Sequence, residues 1–208
     1  MSDYKTDDEK VEELKVWWKE NGTSVVAGVA LAIAGLFGWQ YWKDYQETNA
    51  AEASALYAQA SKASETSLEQ AQADIKTLQG DYASTPYAAI ASLKLAQQYA
   101  EKGEYEPAVT ALQWVIDNSK EADFKHLANI RLARTLLAMQ KTDEALGLAN
   151  QSYPVAYQSL VDELKGDIYV AQNKTTEARA AYDKAMLGSA GGSTEFIKIK
   201  RDNLGEGA

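Results

Sequence analysis

The stretch from Thr23 to Trp42, TSVVAGVALAIAGLFGWQYW, constrains the chain more than any other: it is 20 residues long and carries no charge. As a helix rising 1.5 Å per residue it spans roughly 30 Å, the thickness of a bilayer's hydrocarbon core. Trp39, Tyr41 and Trp42 crowd its end, where amphipathic rings suit the headgroup level. A buried helix of a soluble protein would usually be shorter and striped with polar residues. A cleaved signal peptide would have a shorter apolar run and a small-residue cleavage site, whereas aromatics and Lys43 close this one. The segment reads as an uncleaved signal anchor, dividing the chain into residues 1–22, a span at 23–42, and residues 43–208.

Orientation follows from the lysines. Lys5, Lys10, Lys15 and Lys19 precede the span, and only Lys43 follows closely. Basic residues near a span stay in the cytoplasm and acids carry little weight, so residues 1–22 are expected there and the rest is exported. Thr6-Asp7-Asp8-Glu9 has the pattern of a capping box. Val11, Leu14 and Trp18 then share a helical face, and Asn21-Gly22 has the composition of a helix end. Such an amphipathic helix belongs in the membrane interface, or else serves as a regulatory docking helix. Within the span, Gly28, Ala32 and Gly35 form a small-residue face, as do Ala34 and Gly38, a weak signal for a helix partner.

Between Gly38 and Gly80 there is neither Gly nor Pro, so the membrane helix is expected to run on to about Ser64. Ser64-Glu65-Thr66-Ser67 marks the first break, and a helix from about Leu68 to Gln79 follows. From here the chain repeats. Ala71, Ala108, Ala145 and Ala178 are spaced by 37, 37 and 33 residues. Twelve residues before each stand Gln59, Ala96, Ala133 and Gly166, and four after stand Ile75, Leu112, Ala149 and Tyr182. Small residues where paired helices cross, with large ones a turn away, are the tetratricopeptide signature. Three units match in register, 93–112, 130–149 and 163–182. The first departs at Gln59 and Lys62 and is a degenerate repeat or a cap. Pro86 and Pro154 stand at expected starts of first helices, and Pro107 in the first turn of a second. After LGSAGGS (187–193), a helix from Glu195 to Leu204, capped by Ser193 or Thr194 and closed by Gly205, is expected to cover the last repeat with Phe196 and Ile199. The fold class is all-α: one transmembrane helix, then an α-solenoid of tetratricopeptide-like pairs with a C-terminal capping helix.

Chemistry is sparse. The 208 residues carry a net charge of −9 with no basic cluster, against the concentrated lysine and arginine that nucleic acid requires. There is no cysteine, hence no disulfide, thiolate nucleophile or zinc–sulfur site. No serine elbow, phosphate-cradling glycine loop or zinc-protease motif occurs. The single histidine, His126, reads as a polar helix-start residue, and Asp162, Glu163 and Asp167 read as a solvated acidic face. No catalytic residue, metal, cofactor or small-molecule substrate is expected.

The function expected is therefore binding. At 100° per residue, the positions six and three before, and one and four after, each small residue of a first helix lie on one flank. The resemblance to tetratricopeptide solenoids implies that this flank lines the concave groove. It comprises Ile90, Leu93 and Gln97, then Leu127, Ile130, Arg134 and Leu137, then Leu160, Glu163, Asp167 and Val170. The competing reading is that these side chains pack between neighbouring helices. As a groove it is mostly apolar with acids at the far end, suited to extended hydrophobic chains rather than to charged C-terminal tags.

The chain also resembles the ancillary SecYEG translocon subunit (YfgM-like) family of Gram-negative bacteria over nearly its full length. The resemblance is carried by ENG (20–22), GWQYW (38–42), ASLKLAQQY (91–99), IRLAR (130–134), ELKGD (163–167) and IKIKRDNL (197–204). It implies a type II inner-membrane protein with a periplasmic repeat domain. It further implies association with the SecYEG translocon and with a membrane-anchored isomerase-type chaperone (PpiD-like), and hand-off of emerging proteins to periplasmic chaperones. A cytoplasmic role, restraining the response regulator of an envelope-stress phosphorelay, falls on residues 1–22. A structural scaffold of an envelope complex that never touches unfolded chains is the alternative.

Overall fold

The computed structural model describes residues 6–64, 66–188 and 192–205, without the side chains of Leu68, Gly192 and Ser193. Lys5, Glu65, the middle of the LGSAGGS segment and the capping role of Ser193 therefore lie outside the described residues. Among these residues all regular structure is helical, and the chain divides into one unit up to Ala51 and a second from Glu52 onward.

The first unit is the greater part of α1 (Asp7–Ala63). Half of the expected capping box is formed, with the Thr6 amide donating to Glu9 Oε2 at 3.1 Å. The expected end at Asn21-Gly22 is absent, and α1 runs straight through it. Asn21 turns its side-chain amide back to the Trp17 carbonyl at 3.0 Å. The Trp18 ring fills the space where Gly22 lacks a Cβ, 3.1 Å from where one would stand. A glycine inside a helix costs only about 1 kcal/mol, and good helix formers on both sides outweigh that. α1 is long and apolar enough to cross a membrane, and its apolar stretch is almost wholly unburied. Leu31, Phe37, Trp39 and Tyr41 stand exposed along it.

The second unit opens with the last turns of α1, which form a helix pair with α2 (Leu68–Asp81). Ser67 caps α2, its hydroxyl accepting from the Gln70 amide. Ala53 and Ala60 are buried against Ile75 and Leu78 of α2 and against Ala88, Ala91 and Leu95 of α3 (Pro86–Glu101). In the degenerate repeat the buried small residue is thus Ala60, next to Gln59 where alignment places the crossing. Gln59 instead donates to the buried Asp74 at 3.1 Å, which also accepts from Gln70 at 2.9 Å.

Three further pairs follow: α3 with α4 (Tyr105–Asn118), α5 (Ala122–Ala138) with α6 (Thr142–Ala149), and α7 (Val155–Ala171) with α8 (Thr175–Gly188). Each helix packs on the next, and first helices also touch the following first helix, α3 on α5 and α5 on α7. That pattern defines the solenoid. Pro86 is the first residue of α3, Pro154 caps α7, and Pro107 stands in the first turn of α4. The turn inside each pair is the same device three times. Gly103, Gln140 and Asn173 take left-handed φ values of 75°, 62° and 59°. The next amide then donates back five residues, Glu104 to Tyr99, Lys141 to Leu136 and Lys174 to Tyr169, at 2.8–2.9 Å. This is the Schellman closure, which satisfies carbonyls a helix end leaves free.

At the crossings Ala96, Ala108, Ala133, Ala145 and Ala178 are each 2% exposed or less. In the last pair Gly166 meets Tyr182, where the second pair sets Ala96 near Leu112. A Cβ on Gly166 would stand 2.3 Å from the buried Tyr182 ring. α9 (Gly192–Asp202) closes the unit over α8. Its covering residue is Ile197, 2% exposed beside Tyr182 and Ala185, whereas Phe196 and Ile199 are 57% and 51% exposed. The expectation for those two is corrected: α9 begins earlier than sequence indicates and presents the opposite face.

Gly166→Ala should cost about 1–3 kcal/mol, the usual penalty of forcing an extra carbon into a packed core. Adding Tyr182→Leu, which recreates the alanine–leucine crossing of the second pair, should recover part of that loss. Urea melts of the two single variants and the double variant measure the coupling, and strict additivity would refute the contact.

Candidate functional site

The first-helix flank was expected to form one groove, and the structure sorts its residues by position. Three residues before each small residue, the side chain is covered by the next element. Leu93 is 5% and Ile130 1% exposed, both in the core shared by α3 to α7. Glu163, the equivalent in α7, has a side chain 14% exposed beneath Lys200 of α9. One residue after the small residue, Gln97 and Arg134 are exposed. Ile90, Leu127, Leu137 and Leu160 are half-buried, and Val170 is 43% exposed. Both readings of the flank thus hold, at different positions.

Between α3 and α5 the exposed part opens into two adjoining clefts of about 280 and 290 Å³. The first is lined by Ile90, Leu93, Gln97 and Leu127, all expected, together with Lys94, Phe124 and Arg131. The second is lined by Gln97 and Arg134 with Ala96, Ala100, Leu112, Arg131 and Thr135. Arg131 belongs to both. It lies two residues before Ala133, outside the flank counted from sequence, yet its guanidinium reaches across to donate to the Leu93 carbonyl at 3.2 Å. Burial, and the neighbouring Arg134 charge, pull its pKa below the usual arginine value. The signal was present in IRLAR, whose two arginines stand three apart and so project to similar sides of α5.

The acidic end of the flank is not open. Lys200 of α9 donates to Glu163 Oε1 at 2.7 Å and to both Asp167 oxygens at 2.9 and 2.8 Å. Tyr182 donates to Asp167 at 2.7 Å, and Arg134 approaches Glu163 at 3.9 Å. These contacts fasten the capping helix. Asp162, 9% exposed, accepts from Gln158 on its own helix. His126 lies within α5 and stacks against Tyr153 and Tyr157 at 5.6 and 5.8 Å, a packing role. Among the described residues no group of three or more His, Asp or Glu is arranged to hold a metal ion.

Residues 15–206 match the tetratricopeptide repeat-like domain family, so the chain belongs to that family of helix-pair repeat proteins. Across nearly its whole length it is similar to proteins named Ancillary SecYEG translocon subunit. The Escherichia coli protein is 28% identical over 98% of this chain and 99% of its own length. The Haemophilus influenzae protein is 27% identical over 95% and 97%, and the Neisseria gonorrhoeae protein 28% identical over 98% and 100%. No solved structure matches. The resemblance carried by the short segments above agrees with these relatives.

The Tyr182–Asp167–Lys200 cluster fixes a pH response. Burial, then the hydrogen bond from the phenol to Asp167 and the acidic charges around it, raise the Tyr182 pKa far above 10.0. Burial acts to lower Lys200, but its bonds to Asp167 and Glu163 prevail and raise it above 10.5. Both groups release their proton more readily unfolded, so their contribution is complete below about pH 10 and is lost as pH rises through the folded values. Thermal melts should show stability falling above about pH 10, with a shallower fall in Tyr182→Phe. An unchanged slope in that variant would refute the assignment.

Proposed function

We propose that this protein is a non-enzymatic, membrane-tethered binding subunit of the SecYEG translocon. One observation supports the reading above others. The chain joins an uncovered apolar helix segment to a tetratricopeptide unit, over the same full length as relatives that bear the ancillary-subunit name. An apolar helix surface that the protein leaves unburied is stable in lipid and costly in water. In this reading residues 1–22 lie in the cytoplasm, 23–42 anchor the chain in the bacterial inner membrane, and 43–208 work in the periplasm. The repeats bind partners there, among them a membrane-anchored PpiD-like chaperone, and help pass translocated proteins to periplasmic chaperones. The cytoplasmic segment restrains an envelope-stress response regulator. The clefts between α3 and α5 are the binding surface that best fits this task, because they combine apolar walls with exposed polar groups.

Orientation is tested by adding protease to spheroplasts. The repeats should be degraded and residues 1–22 spared; protection of the repeats until lysis would overturn both topology and function. A photocrosslinker at Gln97, in cells exporting a secreted protein, tests the binding role. Nascent chains should appear among the products. Products confined to fixed membrane partners would instead favour a scaffold.

A further inference from the structure

The groove reading assigns a surface but not the chemistry of what enters it, and the arginines of α5 add that. Arg131 is half-buried between the two clefts, and among the described residues its side chain bonds only to a backbone carbonyl, with no carboxylate in ion-pair range. Arg134, one turn on, has only a distant contact with Glu163, which Lys200 already holds at 2.7 Å. Lys94 lines the same wall, and no ion pair engages it among the described residues. In a chain of net charge −9, three cations thus line the two adjoining clefts without close acidic partners. A half-buried guanidinium that lacks a counter-charge is costly to hold. An incoming carboxylate would relieve that cost and accept the forked bonds that arginine offers.

We propose that the clefts between α3 and α5 bind an extended peptide segment through an internal Asp or Glu held by Arg131 and Arg134, with an apolar neighbour seated against Leu127 and Phe124. The carboxylate is placed inside the segment because the second cleft continues past Arg131 along Ala96 and Leu112, so the chain passes through rather than ending. This inference rests on the groove reading above and revises the expectation from sequence of a mostly apolar groove, with Arg134 among its residues and acids at the far end.

The test uses the full-length chain in detergent and end-capped fluorescent peptides of alternating leucine and serine. One peptide carries a central Glu, one a central Gln, and a third carries Gln with a free C-terminal carboxylate. Anisotropy titrations should show the Glu peptide bound about tenfold more tightly than the Gln peptide, with the preference shrinking as salt is added. Arg134→Gln, on an exposed side chain, should reduce the preference. Arg131→Gln should abolish it, with circular dichroism melts verifying the fold; if that variant unfolds, Arg134→Gln decides alone. Equal binding of the Glu and Gln peptides, or a preference undiminished by Arg134→Gln, overturns the carboxylate site while leaving the groove intact. Tightest binding by the free-terminus peptide overturns the internal placement. Failure of every peptide to bind overturns the groove reading together with this one.

Discussion

Close approach of helix axes at small residues is the constraint on which the repeat unit depends. Ala96, Ala133 and Gly166 on first helices, with Ala108, Ala145 and Ala178 on second helices, remove the side-chain bulk that would hold each pair apart. Only at that separation do Leu112, Val115, Leu164 and Ile168 reach full burial. The pairing also sets where first helices meet one another, and so places the clefts between α3 and α5. The Gly166–Tyr182 contact shows how strictly volume is conserved: the smallest residue at a crossing faces the largest partner.

Covering the third position before each crossing extends the same rule to the end of the unit. Leu93 is covered by α5 and Ile130 by α7, where apolar side chains suit an apolar neighbour. Glu163 comes last, and what covers it is a lysine of α9. The residue type at each repeat therefore reports what lies over it. Acids clustered on α7 are complementary to the cap, and a solvated acidic face is the wrong description of them.

Much of this was legible in the residues. The repeat spacing, the prolines and the small residues locate the helix pairs, because each acts locally or through a period fixed by backbone geometry. The uncharged run and the absence of Gly or Pro after Gly38 foretell α1. The rest depends on neighbours that a periodicity does not name. The face of Leu93 and Ile130 is computable from one helix, but their burial requires knowing that the next helix leans over it. Arg131 lies off the counted flank and enters the clefts because its long side chain crosses to α3. Asn21-Gly22 has the composition of a stop, yet nothing there demands left-handed backbone, and the helix continues. Phe196, Ile197 and Ile199 are all large apolar residues of α9, and it is Ile197 of the three that turns inward.

The left-handed residue inside each helix pair separates what is fixed in this chain from what is free to vary. Gly103, Gln140 and Asn173 each stand seven residues after one crossing residue and five before the next, so the arm of every hairpin is pinned at both ends. The shortening from 37 to 33 residues falls elsewhere: α6 has 8 residues where α4 has 14, while the connection to α7, residues 150–154, is longer than the connection to α5, residues 119–121. A second helix can therefore be cut short, and the link after it lengthened, while the hairpin arm keeps its length. Length in this architecture thus varies at the junctions between pairs, and the hairpin is the part that stays constant.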